Sequence, residues 1–76
     1  MTTGRISIVT EDGETQYNQA ANPQNWAFAK KLAAILAYRR NVVIYIDDLS
    51  VVDEPIGTVV RPGTYRLTAA DQVKIS

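Results

Sequence analysis

Residues 22–47 read NPQNWAFAKKLAAILAYRRNVVIYID, and the change of period inside this stretch sets the fold class. Asn22 is a favoured N-cap, and Pro23 has the backbone angle of a first helical position. From Pro23 to about Arg40 the residues are mostly Ala, Leu, Lys and Arg, all good helix formers. Lys30, Lys31, Arg39 and Arg40 occupy the later turns, where the helix dipole favours cations, and Asn41 suits the left-handed position that ends a helix. Phe28, Leu32, Ile35 and Leu36 follow the i, i+4, i+7, i+8 spacing and are expected to cover a sheet. Val42 to Asp47 is then apolar on both alternating faces, which suits a central strand better than an edge.

The flanking sequence supplies the rest of that sheet. Arg5 to Thr10 alternates, with Ile6 and Ile8 on one face, and Asp12-Gly13 predicts a two-residue type I′ hairpin turn. Folding about that turn sets Ile8 opposite Tyr17 and Val9 opposite Gln16. On the other side, Asp47-Asp48-Leu49-Ser50 breaks the central strand. A further short strand can start at Val51 and Val52, and Asp53-Glu54-Pro55 stops it. Gly57 to Arg61 and Tyr65 to Thr68 form a second hairpin, with Pro62 and Gly63 in the central positions of a type II turn. Thr68 to Asp71 reads as a brief helical turn opened by a Thr cap, and Val73-Lys74-Ile75 as a last short strand. The expectation is one α+β domain over residues 1–76, in the order β-β-α-β-β-β, with a single helix packed on a mostly antiparallel sheet.

Composition limits function. Of 76 residues 46% are hydrophobic and 21% charged, values of a globular chain. Eight Lys plus Arg balance eight Asp plus Glu, so no global field draws the chain to DNA, RNA or an anionic membrane, and any nucleic-acid site has to be a local patch. The sequence has no Cys and no His, which removes disulfides, thiolates, imidazole bases and the usual zinc and haem ligands. No apolar run approaches the ~20 residues of a membrane span, and the amino terminus lacks the succession of a signal peptide. A cytoplasmic chain, complete as a small gene product, is expected.

Candidates for chemistry are few. Asp47, Asp48, Asp53 and Glu54 form an oxygen-rich group, but their spacing lacks the alternating ligands and central Gly of a calcium loop, so no metal is expected. Paired carboxylates need a cleft, which a domain with one helix hardly provides, so no enzyme is expected. The glycines fall singly and form no phosphate-binding loop, and no hydroxyl has a base near it in sequence. No cofactor or small-molecule substrate is expected.

Partners remain. At 100° per residue the cations Lys30, Lys31, Arg39 and Arg40 spread around the helix and make no single basic face, so nucleic acid is expected to bind weakly or not at all. Trp26 falls about 160° from Phe28, in line with Lys30, Ala33 and Ala37, on the side expected to point away from the sheet. Trp26, Ala33 and Ala37 would then form a shallow apolar groove flanked by Lys30 and Arg40, a mixture typical of interface cores. These five residues are the expected partner-binding site. The competing expectation is that the loop from Asp48 to Ile56 folds over Trp26 and hides it as a satellite of the core. The leading functional expectation is a non-catalytic domain that occupies the surface of another protein, as phage or mobile-element inhibitors of host machines do. The alternatives are a nucleic-acid-binding protein that uses the basic helix end with Arg61 and Arg66, and a structural subunit in which a second copy packs on the same helix face.

Overall fold

The computed structural model describes residues 4–71; the strand expected at residues 73–75 lies outside them. Five strands and one long helix follow in the order β1 (Arg5–Thr10), β2 (Thr15–Ala20), α1 (Pro23–Leu36), β3 (Val42–Ile46), β4 (Thr58–Arg61) and β5 (Thr64–Leu67). The sheet order is β2-β1-β3-β5-β4 and every neighbouring pair is antiparallel. This is the expected α+β architecture, with the doubly apolar strand β3 at the centre of the sheet. Among the described residues no helix is long and apolar enough to cross a membrane.

Register builds one buried face. Ile6 pairs with Ile46, Ile8 with Ile44 and Thr10 with Val42, while Ile44 and Val42 pair onward with Tyr65 and Leu67. All of these residues are buried, and α1 packs over them. Ile8 sits opposite Tyr17 as the alternation requires, but Val9 pairs with Thr15 and not with Gln16. The turn explains the shift. A type I′ turn needs positive φ at both central residues, whereas here only Gly13 has it, at 90°. Gly13 N–H donates to the Thr10 carbonyl at 2.8 Å and Thr10 N–H to the Glu14 carbonyl at 2.9 Å, which makes a three-residue loop with a bulge. In the second hairpin Gly63 has φ of 84°, the value a type II turn requires.

The helix starts where expected. Asn22 Oδ1 accepts from the Asn25 N–H at 2.8 Å and Pro23 occupies the first turn. It ends at Leu36, with Ala37 as its C-cap, about four residues before the expected end at Arg40. Tyr38 and Arg39 bond back only three residues, to Ile35 and Leu36, because the chain is descending to the sheet. Asn41 is already held there, its carbonyl accepting from Glu11 N–H at 3.2 Å. Asn41 is not left-handed, since no described residue other than glycine has positive φ. Leu49–Val51 forms a 3-10 turn, not the start of a strand, because the Asp48 side chain caps it at Ser50 N–H. Residues 69–71 open a helical turn as expected, with the Asp71 carboxylate accepting from Thr68 N–H and Oγ1.

The largest correction concerns which side of α1 is buried. Trp26, Ala29, Ala33 and Ala37 face the sheet, Trp26 being only 1% exposed, while Phe28 and Ile35 are 55% and 63% exposed. Leu32 and Leu36 are partly buried against the margin of the core. The expectation weighted the helix faces by side-chain size, and the sheet reverses that weighting. Its inner face already carries Ile6, Ile8, Ile44, Ile46, Tyr65 and Leu67, so small alanines opposite them allow a close approach without overpacking.

Candidate protein-binding surface

The five residues expected to bind a partner do not form a surface. Trp26, Ala33 and Ala37 are core residues, each at 1% exposure or less. The Trp26 ring packs on Tyr65 of β5 at 5.8 Å between centroids. Lys30 lies at the edge of the buried side, and Arg40 falls beyond the helix, 3.9 Å from a Glu14 carboxylate oxygen. The expectation placed Trp26 outward by its phase relative to Phe28; that phase is right, and it is Phe28 that points out.

The loop after β3 closes over Trp26 by way of Asp53. The indole N–H donates to Asp53 Oδ1 at 2.9 Å, and Lys30 Nζ donates to the two Asp53 oxygens at 3.0 and 3.2 Å. The Lys30 hydrogen bond first, and the indole second, hold the Asp53 carboxyl below its ordinary value of 3.8. Ile56, three residues on, is buried in the core. A tryptophan that is buried needs a partner for its N–H, and a carboxylate on a tethered loop provides one. Sequence reasoning singled out Asp53 only as part of an acidic group.

The four carboxylates of that group take separate positions. Asp47 Oδ2 accepts from Arg5 N–H at 3.2 Å, and Asp48 Oδ1 accepts from Ser50 N–H and Oγ at 3.1 and 2.6 Å. Glu54 borders a groove of about 380 Å³ between α1 and the segment that follows, with Ala27, Lys30, Lys31, Pro55 and Ile56 among its other walls. The helix cations divide as well. Lys30 and Lys31 reach this groove, while Arg39 and Arg40 lie with Glu11 and Asp12 at the tip of the first hairpin.

What the helix presents outward is apolar. Phe28, Leu32 and Ile35 follow one another at spacings of four and three, so they share one face over two turns. The Phe28 ring packs against Tyr17 of β2 at 5.4 Å and an interplanar angle of 37°, which carries the patch onto the sheet edge. The backbone of that edge is less available than its side chains. The Asn18 carbonyl accepts from Arg5 Nη2 at 3.2 Å and the Ala20 carbonyl from Asn25 Nδ2 at 2.8 Å, so side chains blunt β2 against strand addition. From Pro23 to Leu36 the helix contains no acidic residue, and Lys31 stands exposed beside the stripe. The periodic stripe was visible in the sequence; its direction was not. No protein-family model, curated protein or solved structure matches the chain, so its own surfaces carry the functional reading.

Proposed function

We propose that this chain is a non-catalytic protein-binding module that docks through Phe28, Leu32 and Ile35 of α1. The supporting observation is the exposure of Phe28 and Ile35, 55% and 63%, on one face of a helix whose opposite face already fills the core. Isolated exposed apolar side chains are ordinary on a protein surface, but a continuous stripe extended by Tyr17 has the size and setting of an interaction site. The flanking charge favours a foreign partner. Two copies of the chain meeting through this face would set Lys31 against a helix that carries no carboxylate of its own. A partner surface that is apolar at its centre and carries carboxylates at its rim fits both features. The module acts by occupying that surface, as a small protein inhibitor does.

A photo-crosslinking side chain placed at position 35 tests this, with one at position 58 on the far edge of the sheet as control. The captured protein is then produced and its affinity measured directly. Ile35→Ser is expected to weaken binding by roughly 30-fold or more, as a hot spot does, while leaving stability within about 0.5 kcal/mol. Equal capture from positions 35 and 58, or unchanged affinity of Phe28→Ser and Ile35→Ser, refutes the proposal.

A further inference from the structure

The sheet has a second face, which α1 does not cover. Strand alternation places Arg5 and Ser7 of β1, Tyr45 of β3 and Arg66 of β5 on it, opposite in direction to the core residues between them, and a register shift in β4 after Val59 pairs Arg61 with Thr64 on the same face. An antiparallel sheet with one open face ordinarily shows water a polar, charge-mixed surface. This one is charge-segregated. It carries three of the chain's five arginines and, among the described residues, one carboxylate beside them, that of Asp47, which accepts from Arg5 N–H. The other acidic residues are at the first hairpin's tip, over α1 with Asp53, or engaged as caps at Asp48 and Asp71.

Two of the arginines, Arg61 and Arg66, flank an aromatic ring. Tyr45 is 42% exposed at the middle of the sheet, paired directly with Ser7 on one side and Thr64 on the other. Arg5 lies two residues from Ser7 and Arg66 two residues from Thr64. Arg66 is therefore a diagonal neighbour of Tyr45, at the roughly 7–8 Å that long side chains span, whereas the Arg5 guanidinium turns the other way, to Asn18 of β2. Arg61 comes in along the Tyr45 row itself, its Nε donating to Thr64 Oγ1 at 3.3 Å. Arg66 has no ion-pair partner among the described residues. A flat, exposed aromatic ring with two guanidinium groups beside it offers stacking for an unpaired base and charge for the adjoining phosphates.

We infer that this open sheet face binds single-stranded nucleic acid, with Tyr45 stacking on a base and Arg61 and Arg66 contacting the backbone. The site is separate from the protein-docking stripe on α1 and lies on the opposite side of the molecule. A duplex is disfavoured, because paired bases do not offer their faces to a ring standing on a sheet. The net charge of zero conceals the patch, since the compensating carboxylates are on other surfaces.

Fluorescence anisotropy with a labelled oligothymidylate of about 12 nucleotides tests the inference. Affinity is expected to fall between about 50 and 200 mM salt with a log–log slope of about −1.4, the value for two arginines on a single strand. Tyr45→Thr, which keeps a strand-forming residue, is expected to weaken binding roughly tenfold or more, and Arg66→Gln to flatten the salt slope by about 0.7. Phe28→Ser, on the helix, is expected to leave affinity unchanged, which keeps this test independent of the protein-docking reading. Absence of binding at the lower salt overturns the inference. So does binding that is indifferent to Tyr45→Thr, or equally tight binding to a duplex or to anionic phospholipid vesicles, which would show a patch for any anion. If Tyr45→Thr fails to fold, the double change Arg61→Gln and Arg66→Gln decides, because both side chains are exposed.

Discussion

Replacing Trp26 by Ala tests the orientation of the helix, on which every surface assignment depends. The indole is 1% exposed, rests on Tyr65 at 5.8 Å and is covered on its polar edge by Asp53. Its helix neighbours on the buried face are Ala29 and Ala33, which are too small to move into the space it would leave. Little relaxation is therefore available, and the cost belongs in the ~3–5 kcal/mol of a buried aromatic truncated to Ala. A 76-residue domain has roughly 4–11 kcal/mol of stability in total, so the variant loses about a quarter of it or more. Urea unfolding followed by far-ultraviolet circular dichroism measures this. With an m-value of about 1 kcal/mol/M the midpoint falls by ~3 M or more, or the variant is unfolded from the outset. Ile35→Ala is the matched control. Its side chain is 63% exposed and Ala is the better helix former, so stability stays within about 0.5 kcal/mol or rises slightly. A loss below ~1 kcal/mol for Trp26→Ala together with more than ~2 kcal/mol for Ile35→Ala would reverse the orientation of α1 and refute the assignment of both faces.

The Asp53 contacts give a pH dependence of known sign. Its carboxyl is held below 3.8 in the folded chain, so the stabilisation is complete at neutral pH and is lost as pH falls through the folded value. The stability gap between wild type and Asp53→Asn, measured by urea melts, is expected to stay constant from pH 7 to about 5 and to close below 3.8. Two glycines with positive φ separate strain from crowding. At Gly57, φ 66°, a Cβ would run into the Arg66 carbonyl oxygen, whereas at Gly13, φ 90°, nothing lies within 4 Å. Thermal melts should therefore show Gly57→Ala losing clearly more than the ~1 kcal/mol of left-handed strain expected for Gly13→Ala. Asn22→Ala removes the cap at Asn25 N–H and is expected to cost about 1 kcal/mol in the same assay.

Local signals in the sequence determined the elements. Alternation in Arg5 to Thr10, the Asn22-Pro23 helix start, the doubly apolar run at Val42 to Ile46 and the Pro62-Gly63 turn each depend on neighbours a few residues away, and each appears in the structure as expected. The helical phase of Trp26 against Phe28 was equally legible, because it is fixed by the geometry of a single helix. Which of those two sides met the sheet was not. That depended on volumes contributed by β1, β3 and β5 at once: the isoleucines, Tyr65 and Leu67 fill the sheet face so fully that alanines pack against it better than leucines. The Trp26 to Asp53 hydrogen bond joins residues 27 positions apart, and no local pattern encodes such a pairing. Charge behaved in the same way. The sequence holds eight charges of each sign, but only the strand register of the folded sheet brings Arg61 and Arg66 beside Tyr45 and leaves most carboxylates elsewhere.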